Sequence, residues 1–540
     1  MKEAVSSLVA VTVALAAYAG LADAVPARIF SDHMVLQRDR PIRIWGWARK
    51  GERVRVGFGG QEAVAVTGTN GLWVAELPAT GARKEGGDLV IRGNGNEVRF
   101  RDVVVGDVWL CAGQSNMEMS FCWGILNGAE EIAKSPDYPL VRSTKFRKLQ
   151  AFEPSADSCN LPWAVCDTNS LWHTTACGYF FARAIQRETG VPVGILDDNW
   201  SGSNIEPFMP DAAFPPSFAK ERAQLKERRE YLSVARNRKS LQKTLTSLRL
   251  LGEFAAECKA EGRSFDYFPT SLPDRTKVPF NCNCGTRWNA MMAPLVRFPI
   301  AGAIWYQGCS NAGQSPHAGP TKYEVRLEGM VREWRRAWGE DFPFYFVQLA
   351  AHKKYNPDPE GGDYKASIRV DMLKAHRMIP RSGMAVTFDI GNADDIHPKN
   401  KLDVGERLAL WALRDVYGRK DVVPSGPLCR AARRDGGAIR VSFDYAEPGL
   451  MAAAKDPNAP GVTPVPEPDA ALEGFAVGGA DGKWFWAKAE IDGGEVVVSA
   501  PEVSEPTAVS YAYRSNPMGH ANLYNRAGLP ASPFLVKDVK

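Results

Sequence analysis

Between residues 27 and 105 apolar and polar side chains alternate in short segments, the period of two that puts every second residue on one face of a strand. The segments fall at 42–47, 54–56, 63–66, 72–74 and 89–91, and the breaks at Gly59-Gly60, Asn70-Gly71, Gly86-Gly87 and Gly93-Asn94-Gly95. Strands this short with turn signals this regular predict an antiparallel β-sandwich over residues 25–105. From residue 106 the texture changes: continuous apolar runs, as in strands buried on both faces, alternate with segments apolar at helical spacing. The runs 108–112, 191–196, 300–306, 344–349 and 384–388 predict strands. Residues 178–189, closed by Gly190, together with 321–338 and about 401–416, predict helices. That alternation predicts the α/β class, as a three-layer domain with a mainly parallel sheet over residues 106–418.

Within that domain residues 210–285, rich in Lys, Arg, Glu and Leu from 217 to 256, read as a helical insertion whose charges form a solvated face. The alternating pattern returns at 438–443, 495–499 and 508–513, so residues 419–540 are assigned to a second β-sandwich-like domain. The first 24 residues carry Lys2, an apolar core from 8 to 21 and the small-x-small sequence Ala22-Asp23-Ala24, the pattern of a secretory signal peptide. The core is interrupted by Thr12 and is short for a membrane span, and no cysteine follows it to take a lipid. The expected mature protein is secreted or periplasmic, with no stable membrane insertion.

Composition adds exclusions. A chain of 540 residues with 45% hydrophobic and 24% charged residues exceeds what one core holds together. Its net charge of +4 is small, and no basic block is interleaved with aromatics, so no nucleic-acid partner is expected. Export permits disulfides among the 10 cysteines. Cys111 and Cys177 sit in apolar runs and are expected to be buried thiols. Cys122, Cys159, Cys166, Cys258, Cys282, Cys284 and Cys429 stand in polar or loop-like surroundings and are the candidates for pairing. Cys282-Asn283-Cys284 has no second ligand pair at zinc spacing, so no metal site is expected.

The run Val108-Trp109-Leu110-Cys111-Ala112 stops at Gly113, and Gln114-Ser115-Asn116-Met117-Glu118 follows. A strand delivering a serine at its end is how a hydroxyl nucleophile is presented, provided that a base and donors for an oxyanion stand elsewhere. Of the 7 histidines, His397 lies in Asp394-Asp395-Ile396-His397-Pro398-Lys399, beyond a predicted strand end and before a helix. Ligands bind at strand carboxyl ends in open parallel sheets, which is where both Ser115 and His397 fall. Asp394 at minus three and Asp395 at minus two are alternative partners for the ring's far nitrogen. His33, His173, His317, His352, His376 and His520 lack such a companion or lie in β or helical segments. Oxyanion donors are offered by Asp198-Asn199-Trp200-Ser201-Gly202-Ser203-Asn204-Ile205-Glu206 and by Tyr306-Gln307-Gly308-Cys309-Ser310-Asn311-Ala312, each following a predicted strand.

Ser, Gly, Asn and Asp-x-x-His at successive strand ends resemble the SGNH hydrolases, a flavodoxin-like fold, and more closely their sialate O-acetylesterase-like members. Gly113-Gln114-Ser115-Asn116-Met117, Trp305-Tyr306-Gln307-Gly308-Cys309-Ser310-Asn311-Ala312 and Asp395-Ile396-His397-Pro398-Lys399-Asn400-Lys401 are similar to that family's blocks. The likeness extends to Phe30-Ser31-Asp32-His33-Met34-Val35-Leu36-Gln37-Arg38 and Asn522-Leu523-Tyr524-Asn525. The resemblance implies Ser115 as nucleophile and His397 as general base. It further implies an oxyanion hole from Ser115, Gly202 and Asn311, an O-acetylated sugar as substrate, and no cofactor. Gln114, Gln307 and Trp200 are the expected substrate contacts, with Trp109, Trp123, Trp305 and Tyr306 as further aromatics near the blocks. Two departures stand out: Cys309 where many relatives carry glutamate, and Ser201-Gly202 where they carry a glycine pair. Acetylated xylan or xyloglucan is an alternative substrate within the same chemistry. The rival from another class is a glycan-binding protein that keeps the fold without turnover.

Overall fold

The computed structural model describes residues 24–151, 153–214, 284–312, 322–363, 365–447 and 449–540. All of the expected signal peptide but Ala24, most of the 210–285 insertion, Cys258, Cys282 and His317 lie outside the described residues. One strand, β1 (Glu97–Gly113), organises what remains. Its first residues alternate between exposed and half-buried where they pair antiparallel with Arg83–Arg92, and from Val103 onward every residue is buried. The change follows its neighbours. Val35–Gln37 pairs in parallel at residues 104–106, and beyond that β1 becomes the centre of a second, parallel array.

That array comprises β1, β2 (Val141–Lys145), β3 (Val193–Asn199), β4 (Gly302–Tyr306), β5 (Phe344–Gln348) and β6 (Ser382–Val386) in the order β2-β3-β1-β4-β5-β6, every neighbouring pair parallel. The helices of this region include α1 (Ser115–Glu118), α2 (Ala176–Thr189), α3 (Tyr323–Trp338), α4 (Ala366–Met378) and α5 (Leu402–Asp415). Successive strand side chains point to opposite faces, and the aromatics follow that rule. Trp109 and Tyr345 stack at 5.8 Å on the face covered by Phe181 of α2 and Trp411 of α5. Trp305 and Phe344 point the other way and meet Trp334 of α3 at 5.8 and 6.2 Å. Helices on both faces explain why these strands read as unbroken apolar runs.

Chain direction across the sheet fixes where a ligand can sit. From β1 the chain goes outward to β2, returns to β3 beside β1, then crosses to β4 on the other side. The carboxyl end of β1 is therefore the switch point, flanked by the loops after β3 and β4. Outside this array, Ile42–Trp47 pairs with Leu72–Leu77, and Arg53–Phe58 with Gln61–Val66 and Arg83–Arg92. Toward the carboxyl terminus Leu428–Asp435, Ala438–Asp444, Glu495–Ser499 and Lys488–Asp492 form one antiparallel sheet, and Trp484–Trp486, Phe475–Gly479, Pro506–Tyr511 and Phe534–Val536 another.

The cysteines correct one expectation. Cys111 and Cys177 are buried thiols, but Cys159, Cys166 and Cys429, read as loop-like, are buried and unpaired as well, and Cys122 is an exposed free thiol. Their segments are irregular in sequence yet pack against the core, which local polarity does not reveal. Burial pushes the Cys159 and Cys166 thiols up to about 12, so neither is a thiolate at neutral pH. No helix among the described residues is long and apolar enough to cross a membrane.

Candidate active site

Gly113 ends β1 at φ +148°, and a Cβ there would lie 2.3 Å from the Tyr306 carbonyl oxygen, so only glycine lets β1 finish against β4. Gln114 is extended, and the chain then turns into α1, whose first residue is Ser115. The Ser115 hydroxyl lies 2.8 Å from Nε2 of His397, carried on the loop between β6 and α5. Asp395 Oδ1 accepts the His397 backbone N–H at 2.8 Å and stands 3.5 Å from its Nδ1. Asp394 makes no such approach: its backbone N–H donates to Asn392 Oδ1 in the turn. Burial pulls the imidazole below its ordinary value of 6.5; Asp395 opposes this, while Lys401, Lys399 and Lys365 reinforce it.

The β3 loop is tied to the serine turn at two points. Trp200 N–H donates to Gly113 O at 3.0 Å, and Glu118 of α1 accepts the Ser201 N–H and hydroxyl, each at 2.6 Å. Although burial pushes the Glu118 carboxyl up, the hydrogen bonds from Lys148 and Ser201 hold it below its ordinary value. Gly202 follows at φ +69°, a conformation that favours glycine, so the loop turns there with its backbone exposed. Beneath the loop, the buried guanidinium of Arg287 stacks 4.2 Å over Trp200 and donates to the Ser203 hydroxyl.

The β4 loop is held from below. Gln114 Oε1 accepts from Gly308 N–H at 3.1 Å, Ser310 N–H at 3.3 Å and Gln307 Nε2 at 3.1 Å. Gln307 Nε2 also donates to Ser203 O and Asn311 Oδ1, and its Oε1 accepts from the Tyr323 hydroxyl at 2.7 Å. Gln114 and Gln307 were expected to touch substrate; both are buried, and Gln114 Oε1 and the Gln307 amide brace the two loops. Asn311 Oδ1 accepts from Ile205 N–H at 3.0 Å, and its Nδ2 donates to Glu206 at 3.1 and 3.2 Å. Glu206 in turn pairs with Arg326 at 2.9 Å. Asn311 thus has a carboxylate beside it from the neighbouring loop, while Cys309 lies against the buried Lys365.

The aromatics separate cleanly. Trp109, Trp305 and Tyr306 are core, and Trp200 is half-buried under Arg287. Trp123 is 37% exposed, with its ring 5.7 Å from that of His397. Sequence reading also passed over Glu118, Asn116, Lys401 and Glu206. Asn116, Glu118 and Lys401 lie within a few residues of Ser115 or His397, but a charged or amide side chain carries no sign of burial. Two of the histidines set aside have charged or titratable neighbours after all. His33 Nδ1 lies 2.8 Å from Asp102, and the ring of His352 is held down to about 4, first by burial and then by Lys365 and Lys353 against Asp395. Among the described residues no group of His, Cys, Asp and Glu is placed to hold a metal ion.

Residues 283–414 match the family of carbohydrate esterases described as sialic acid-specific acetylesterases. The chain is 27% identical over 441 residues to the sialate O-acetylesterase of Rattus norvegicus, covering 74% of this chain and 75% of that protein. It is 25% identical over 441 residues to the human sialate O-acetylesterase, with coverage of 74% and 73%. A carbohydrate acetylesterase of Xanthomonas citri, solved as a crystal structure, is 32% identical, covers 95% of this chain and 99% of its own, and superposes with a TM-score of 0.75.

Proposed function

Since this chain belongs to the sialate O-acetylesterase-like family of carbohydrate esterases, we propose that it is an exported carbohydrate O-acetylesterase working through a serine acetyl-enzyme. The observation that carries the reading is the 2.8 Å approach of His397 Nε2 to the Ser115 hydroxyl at the switch point of the sheet. With the ring proton on Nδ1, facing Asp395, Nε2 takes the Ser115 proton as Oγ attacks the acetyl carbonyl carbon. The negative charge that develops on the carbonyl oxygen is met by the Ser115 N–H at the start of α1, the Gly202 N–H and the second amide hydrogen of Asn311. Collapse breaks the ester bond, and the imidazolium hands its proton to the departing sugar oxygen, which leaves as a hydroxyl. Water, deprotonated by the same nitrogen, then attacks the acetyl carbon, the bond to Ser115 Oγ breaks, acetate leaves, and the imidazolium returns its proton to Oγ. No step calls for a cofactor. The domain division at residues 105 and 418 and the SGNH-type assignment of the central domain belong to the same proposal, as do a secreted or periplasmic location and the signal sequence.

Acetylated sialic acid is the preferred substrate. The support for this preference is the match to a family described as sialic acid-specific and the likeness to sialate O-acetylesterases. Acetate release measured in parallel on O-acetylated sialoglycans and on acetylated xylan tests this; faster turnover of xylan would transfer the assignment to plant polysaccharide, and release from neither would overturn it.

Two further results are expected. Asp395→Asn should lower kcat about 10- to 100-fold, the cost of weakening a charge-assisted contact worth about 1.5–3 kcal/mol. Asp394→Asn should turn over at nearly the parental rate; steady-state kinetics on an acetyl ester separate the two. Trp123→Ala should raise KM for acetylated sugars about 2- to 12-fold, the loss of an aromatic contact of about 0.5–1.5 kcal/mol. The same variant should leave turnover of methyl acetate, which has no ring to stack, unchanged.

A further inference from the structure

Asn116 and Lys401 are both buried, and neither touches the reacting atoms in the chemistry set out above. Lys401 immediately precedes α5 and sends Nζ down to Asn116 Oδ1 at 2.6 Å, passing 5.1 Å from the Tyr306 ring centroid. Among the described residues it has no carboxylate at ion-pair distance. A buried ammonium in that state is costly, and the amide oxygen and the ring face offset only part of the cost. At its other end the Asn116 amide donates from Nδ2 to the Ile396 carbonyl oxygen at 3.0 Å. The residue after Ser115 therefore holds the residue before His397, and Lys401 holds that amide in place.

We propose that Lys401 and Asn116 are a positioning couple that sets the register of His397 on Ser115. The proposal rests on the reading of Ser115 and His397 as nucleophile and base. The charged and titratable groups acting on the imidazole are Asp395 and Lys399 on its own loop, Lys401, Lys365 at the start of α4, and His352 on the segment after β5. Those acting on Lys401 are Cys177 of α2, Cys309 of the β4 loop, Lys399 and Asp395. Burial brings the Lys401 ammonium down to about 8, so its charge is present throughout the range in which the histidine titrates.

The test compares Lys401→Met, Lys401→Arg and Asn116→Ala in the full chain, using kcat and KM on p-nitrophenyl acetate. Lys401→Met should lose about 10- to 100-fold in kcat with KM nearly unchanged. Lys401→Arg, which keeps a charge, should recover part of kcat. Asn116→Ala loses both the anchor on the Ile396 carbonyl and the acceptor of the Lys401 ammonium, so kcat should fall by a similar factor with KM nearly unchanged. The Asn116→Ala/Lys401→Met double variant should be hardly worse in kcat than either single one. A parental kcat in Asn116→Ala overturns the positioning role, and this result stands even if Lys401→Met fails to fold. A parental kcat in folded Lys401→Met likewise overturns the part given to Lys401. Ser115→Ala run alongside separates the two levels: activity in that variant defeats the catalytic reading itself, whereas an inactive Ser115→Ala beside unaffected Lys401 and Asn116 variants defeats only this inference.

Discussion

Ser115→Ala is expected to lower kcat/KM for an acetyl ester about 10⁴- to 10⁶-fold, the range found when a serine nucleophile is removed from a hydrolase whose other groups stay in place. The hydroxyl is the only group the change removes, and its hydrogen bond runs to His397. The turn around it is held by backbone and by other side chains: Gln114 accepts the Gly308 and Ser310 N–H groups, and Asn116 bridges to Ile396. Thermal unfolding should therefore be nearly unchanged, which separates lost chemistry from lost structure. The variant also decides between an enzyme and a glycan-binding protein on the same fold. An enzyme loses acetate release in Ser115→Ala and retains affinity for the acetylated sugar. A binding protein shows no acetate release in the parent either, so the parental rate is the first number to measure.

Ser115 was legible because two signals coincide at one place: an apolar run ends, and a glycine opens the chain. The structure supplies the reason for the glycine, since any Cβ at residue 113 would collide with the Tyr306 carbonyl oxygen. His397 was legible from its acidic neighbours, although the choice between Asp394 and Asp395 was not. That choice depends on how the loop folds back, with Asn392 capturing the N–H groups of both aspartates and leaving only the Asp395 carboxylate near the ring. The long strand β1 shows a different limit. Its pattern changes from alternating to uniformly apolar near residue 103 because its neighbours change there, while the strand itself continues to Gly113. A shift of pattern in sequence marks new surroundings and does not by itself mark the end of an element.

Gln114, Gln307, Asn116 and Lys401 were the hardest to read. Polar residues beside a nucleophile invite a role in binding, yet these are buried and serve each other or the loops. The substitution at Cys309 has a related outcome. The carboxylate next to Asn311 is that of Glu206, which also pairs with Arg326, so the amide is still held by an anion. Cys309 instead adjoins Lys365, one of the cations that act on His397. Its consequence should thus appear in the titration of the base more than in the orientation of the oxyanion donor.

His397→Ala should match Ser115→Ala in size, a loss of about 10⁴- to 10⁶-fold, because nucleophile and base act as a unit and removing either leaves only binding and the oxyanion donors. The parental pH profile carries the same information without mutation. Catalysis needs Nε2 unprotonated to accept the Ser115 proton, so activity is lost as pH falls through the pKa of His397. Burial, with Lys401, Lys399 and Lys365 against Asp395, holds that pKa below 6.5, so the acid limb of kcat/KM should lie below pH 6.5. A limb above that value would mean that Asp395 dominates the imidazole, and Asp395→Asn would then move it down. His397→Ala should show no limb of this kind in its residual activity. Added imidazole should recover part of the rate in His397→Ala by occupying the space beside Ser115 and taking its proton, and should recover none in Ser115→Ala. Equal recovery in both variants would show that imidazole attacks the ester directly and that His397 is not the base.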